Sequence, residues 1–195
     1  MATLALGTPA LAQLDPDDPT QLEPPVAPDT PETPDPSDEE VETLLLLLSG
    51  YHGLPEAELF ESQLNDPRPM LWMLALDEGV FPLYRERALA ALCYWPDATL
   101  EAHLRDVAMD VQTPEISRHQ AIGLLASTFP YTAGTEVALS VLDDTDVQLR
   151  LSAIAALAQI GSVDAIQALN DRLAVEDHPV VARAIEDELA RGVLR

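Results

Sequence analysis

The sequence predicts an all-α protein, an α-solenoid of short stacked helices behind an extended acidic segment. Three observations predict it. From residue 41 onward apolar side chains recur at three- and four-residue spacing, with no sustained strand alternation. Hydrophobic residues make up 47% of the chain but aromatics only 5%, so the core must be built mainly from Ala, Leu, Ile and Val. An arginine returns at Arg85, Arg118, Arg150 and Arg183, spaced 33, 32 and 33 residues apart. A period of that length marks a stack of supersecondary units.

The chain opens with Met1 to Ala12, a short apolar stretch ending in Ala10-Leu11-Ala12 before Gln13. This resembles the back half of a secretory signal, without a basic residue ahead of it. It predicts a periplasmic or secreted protein, with a cytoplasmic one as the alternative. Residues 13–37 read as a disordered acidic linker, since eight of the 26 residues from Asp15 to Glu40 are proline. Proline fixes φ and removes backbone donors, and like charges repel, so such a segment stays extended. Ser37 followed by Glu40 forms a capping-box pattern just before the five-leucine run Leu44 to Leu48. Folded structure is expected over 38–195.

Punctuation then sets the helices. Thr113-Pro114 reads as N-cap and first helical residue, Ser162 after Gly161 as another N-cap, and Pro179 as the start of the last helix. The predicted helices are 38–50, 55–65, 68–77, 81–94, 97–109, 114–127, 132–143, 146–160, 163–175 and 179–192. Residues 81–192 carry the clear repeats. Ala88, Ala121 and Ala153 each follow the repeat arginine by three residues, and Leu92, Leu125 and Leu157 complete the apolar face. Small alanines let helix axes approach while leucines fill the grooves. Asp77, Asp110, Asp144 and Asp177 stand upstream of each unit, and Pro96, Pro130 or Gly161 marks the corner between its helices.

These residues resemble HEAT repeats, of the short bacterial HEAT-like kind also seen in phycobilisome-lyase relatives. The match is plainest at Asp144-Thr145-Asp146-Val147-Gln148-Leu149-Arg150 with Ala153-Ile154-Ala155-Ala156-Leu157 and Gly161, and Asp177 to Arg183 opens the next unit likewise. It weakens over 41–80, where the register is lost. The resemblance implies antiparallel helix pairs. It also implies a structural role for Arg85, Arg118, Arg150 and Arg183, each meeting an acidic residue of its own or the neighbouring repeat near the turn between repeats, the alternative being a ligand-binding arginine row. Residues 179–192 depart from the pattern, with Glu186, Asp187 and Glu188 replacing the Ala-Ile-Ala face, as a capping helix requires.

Charge narrows the partners. The chain carries 34 acidic and 10 basic side chains, a net −24, and all ten bases are arginine. Fifteen of the carboxylates precede Arg68, leaving −9 on residues 68–195. Nucleic-acid affinity comes largely from neutralised phosphates, so nucleic acid is not an expected partner. No stretch reaches the ~18 apolar residues of a membrane span.

Motifs for chemistry are absent from the sequence. The histidines His52, His103, His119 and His178 form no i, i+4 pair and no His-Glu dipeptide. HEAT-type deoxyhypusine hydroxylases hold iron with such pairs, so neither a metal nor a cofactor is expected. There is no GxSxG and no phosphate-binding glycine loop, and a chain without lysine has no Schiff-base lysine. Asp143-Asp144-Thr145-Asp146 lacks the glycine and terminal glutamate of a calcium loop and reads as helix capping. Cys93, the one cysteine, reads as a buried structural thiol. Trp72, Phe81, Tyr84, Tyr94 and Trp95 cluster in sequence, and read as packing for irregular early repeats, the alternative being a partner-binding patch.

The expected function is therefore a non-catalytic protein–protein interaction scaffold. Its expected partner surface lies on the second helix of each pair, at Glu101, Arg105, Glu136, Ser140, Gln167 and Asn170. These residues lie off the apolar stripe, so their substitution should spare folding. Alternatives are an accessory or lyase-like enzyme subunit handling a cofactor, and a structural cell-envelope component.

Overall fold

A computed structural model describes residues 37–50 and 53–192. The proposed signal and linker, His52 and Tyr51 lie outside the described residues. Ten helices follow in order: α1 Asp38–Leu48, α2 Ala57–Gln63, α3 Pro67–Leu76, α4 Pro82–Leu92, α5 Ala98–Met109, α6 Glu115–Thr128, α7 Ala133–Val141, α8 Val147–Ile160, α9 Val163–Leu173 and α10 Pro179–Gly192. No strand occurs among the described residues. The chain is an all-α stack of antiparallel helix pairs.

Side-chain caps start several of the helices. Ser37 and Glu40 satisfy each other's backbone donors at the head of α1. Asp97, Asp146 and Ser162 cap α5, α8 and α9 through side-chain oxygens. Gly161, at φ +62°, ends α8 in the left-handed conformation that glycine adopts without strain. Thr113 departs from expectation: α6 begins at Glu115, with Pro114 as its uncapped N-cap. The Thr113 hydroxyl instead donates to Asp110 Oδ2 at 3.1 Å.

The pairs stack in two rows. The first helices, α4, α6, α8 and α10, pack side by side, and so do the second helices α5, α7 and α9. Ala88, Ala121 and Ala153 are fully buried between them, beside Leu92, Leu125 and Leu157. The tightest approach is at Gly134 in α7. A Cβ there would lie 2.6 Å from Leu125 O and 2.7 Å from Phe129 O, so only glycine lets α7 start against the end of α6.

The blurred register over 41–80 has a physical cause. Helix α1 packs on α3 and α4, and α3 packs on α4. Trp72 of α3 meets His103 of α5 edge-on at 5.3 Å, so α3 extends the second row. Between α1 and α3 the chain inserts α2, whose Phe60 is fully buried against Tyr94 and Trp95, both at 6.3 Å. The Trp95 indole also donates to Glu61 of α2 at 2.9 Å. These rings fill the gap that the extra helix creates. Phe81 does not join them and stands 67% exposed.

Candidate functional site

The turns between repeats share one device. At each, an acidic side chain accepts the backbone N–H two residues on: Asp77 from Gly79, Asp110 from Gln112, Asp144 from Asp146 and Glu176 from His178. In the last turn Glu176, not the expected Asp177, takes this role.

Onto this device two of the four repeat arginines attach. Arg118 Nε donates to Ala108 O at 3.0 Å, and its Nη2 lies 3.4 Å from Asp144 Oδ2. Arg150 donates to the carbonyls of Asp144 and Thr145 at 2.8 and 3.2 Å, and its Nε lies 3.3 Å from Glu176 Oε2. The Glu176 side chain is fully buried and also receives Arg172, whose other nitrogen reaches Asp143 at 2.6 Å. Burial by itself raises the Glu176 carboxyl. The His178 N–H, Arg172 and Arg150 outweigh it and hold the carboxyl below its usual range.

The expected four-rung ladder needs correction at its ends. Among the described residues the Arg85 side chain makes no hydrogen bond or ion pair, and its Nε, like those of Arg68, Arg87 and Arg150, is shielded from solvent without a hydrogen-bond acceptor. Arg183 is 82% exposed and lies 3.9 Å from Asp187 on its own helix. It belongs to the solvent face of the terminal helix, where no further repeat supplies a described junction.

The six expected surface residues divide into two groups. Glu101, Arg105 and Glu136 form a bridge between repeats. Glu101 accepts the Ala133 N–H at 3.1 Å, and Arg105 meets Glu136 at 2.6 Å. The Thr132 hydroxyl and the Ala133 N–H hold the Glu101 carboxyl below its usual range. Glu101 therefore caps the next second helix, which corrects the expectation that its loss would spare the fold. Ser140, Gln167 and Asn170 are exposed and bond only locally or to Met109. Asn170 also lines an open groove of about 640 Å³ between α8, α9 and α10, with Ala155, Ile166 and Leu189 on its walls. The Glu188–Arg191 pair, 2.6 Å apart, stands at this groove.

Burial pushes the Cys93 thiol up, against the smaller effect of a hydrogen bond with Thr128. Burial pushes the His103 imidazole down, with Asp106 acting the other way. His119 of α6 contacts Ser152 of α8 through Nδ1 and Glu115 through Nε2 at 3.3 Å. This Ser-His-Glu contact was not legible from sequence, because its members come from two helices without a local motif. Ser152 lies inside α8, whose N–H groups bond within the helix, so the neighbouring backbone offers no oxyanion donor. The contact joins neighbouring repeats. Among the described residues no three His, Cys, Asp or Glu side chains converge as a metal site.

Residues 102–190 match the family model for HEAT repeats. The chain resembles HEAT repeat proteins. The matched segment runs from within α5 to within α10, the part of the stack that holds both closed arginine rungs and the Arg105–Glu136 pair. No curated protein matches the chain. HEAT repeats generally mediate protein–protein interaction, and no described helix is long and apolar enough to cross a membrane.

Proposed function

We propose that this chain is a non-catalytic scaffold that binds another protein through the outward face of its second helices. One observation carries the reading. Ser140, Gln167 and Asn170 stand exposed on successive second helices without serving the fold, and Asn170 continues into the groove beside α10. Stacked pairs are rigid and present such positions at fixed separation, which suits recognition of an extended protein surface.

The test is alanine substitution of Ser140, Gln167 and Asn170 together, followed by quantitative cross-linking from native cells. The fold should be unchanged by urea unfolding, and at least one protein captured by the wild-type chain should be lost. Retention of every captured protein would overturn the face assignment. Ala10-Leu11-Ala12 supports a periplasmic or secreted location; fractionation with an antibody to the folded part should find the chain outside the cytoplasm.

A further inference from the structure

Helix α2 has no counterpart in the later repeats, where first and second helices alternate directly. Its Phe60 is fully buried and lies 6.3 Å from both Tyr94 and Trp95, at the corner between α4 and α5. Tyr94 and Trp95 themselves meet edge-on, 5.9 Å apart with their planes at 89°. Two rings at right angles, backed by a third, make a concave aromatic corner. It reaches solvent, since Tyr94 is 37% exposed and Trp95 is half-buried.

Carboxylates from α2 and its N-cap rim this corner. Glu61 accepts the Trp95 indole N–H at 2.9 Å. Glu56 and Glu58 stand close enough to Tyr94 to push its hydroxyl up, adding to the larger effect of burial. All three acids are exposed, and among the described residues none of them forms an ion pair. Arg68, the first base in the chain, meets Asp97 instead, and Arg87 donates to the Gly53 carbonyl at 2.6 Å. The faces of aromatic rings carry negative potential, so rings and rim attract the same ligand, a cation.

We propose that the Tyr94–Trp95 corner, with Glu56, Glu58 and Glu61 around it, docks a lysine or arginine side chain on a basic segment of a partner protein. Tyr and Trp are the residues that dominate binding hot spots, and here carboxylates add the sign of the charge they select. An acidic segment would set like charges together, and a second copy of this chain would bring a net −24 to the same place. The inference rests on the scaffold reading but concerns the corner that α2 covers, away from Ser140, Gln167 and Asn170.

The test uses two variants of the full chain. Tyr94→Leu keeps an apolar side chain against Phe60 but removes the ring face. Glu56→Gln, Glu58→Gln and Glu61→Gln together remove the charge and leave an amide oxygen for the Trp95 N–H. These three positions are exposed, so the triple variant carries the test even where Tyr94→Leu disturbs folding. A library of random displayed dodecapeptides is panned on the wild-type chain, and recovered peptides are titrated by tryptophan fluorescence. They should carry Lys or Arg, bind each variant roughly tenfold or more weakly, and lose affinity as salt is added. The Ser140, Gln167 and Asn170 alanine variant should bind them unchanged. An acidic or uncharged consensus, equal binding to the wild-type chain and the triple variant, or no enrichment would each overturn the proposal. Retention of a neutral oligosaccharide at this corner in place of basic peptides would overturn it too, as would self-association that Tyr94→Leu abolishes, read by light scattering. Any of these results, with cross-linked partners still dependent on the second-helix face, would leave the scaffold reading standing.

Discussion

The junctions at residues 142–146 and 174–178 differ from the one at 110–114 in whether a repeat arginine reaches the turn acid. In the first two, the arginine of the preceding repeat reaches a carboxylate that also caps the turn. In the third, the Thr113 hydroxyl bonds Asp110 Oδ2, and among the described residues no ion pair forms on Arg85. The backbone device is the same in all three. What varies is whether a repeat arginine reaches the turn acid: Glu176 receives Arg150 although Arg172 already bonds it, whereas Asp110 receives no arginine among the described residues.

Breaking the buried rung has the largest expected effect. Arg150→Met leaves the Glu176 carboxylate buried with Arg172 alone, and should cost about 3 kcal/mol in urea unfolding. Two glycine substitutions then test how tightly the central block is packed. Gly134→Ala drives a Cβ into two backbone carbonyls and should cost about 1–3 kcal/mol. Gly123→Ala meets nothing within 4 Å in the interior of α6 and should stabilise by about 0.5–1 kcal/mol.

Acid sharpens the contrast between rungs. The folded state holds the Glu176 carboxyl below its usual range, so the carboxylate form favours folding. That contribution is full above the range where an unfolded Glu titrates, about pH 4.3, and is lost as pH falls through the lower folded value. Glu176→Gln should flatten the acid limb of a stability–pH curve. The smallest expected loss is at Glu101. Glu101→Ala removes the acceptor for the Ala133 N–H and should cost about 1 kcal/mol by thermal or urea unfolding.

Helix placement was legible in the sequence because capping residues, prolines and apolar spacing act locally. All ten expected helices are present, and their ends move by a few residues at most. The insertion of α2 was not legible, since Phe60 declares itself only by meeting Tyr94 and Trp95 across the fold. The arginine pattern was legible as a period but not as a set of contacts. A spacing cannot tell that Thr113 bonds Asp110 rather than capping α6, nor that Glu176 replaces Asp177 in the last turn. For the same reason Glu101 and Arg105 looked like free surface, although they bind the neighbouring repeat.

The most direct measurement is a pair of double-mutant cycles in urea, one on Arg150 and Glu176, the other on Arg85 and Asp110. Side chains that interact couple by roughly 0.5–3 kcal/mol, whereas independent ones add. The first cycle should show a coupling of at least about 1 kcal/mol, and the second should be additive to within about 0.3–0.5 kcal/mol. Equal couplings in the two cycles would contradict the conclusion that a repeat arginine closes the 174–178 junction and not the 110–114 junction.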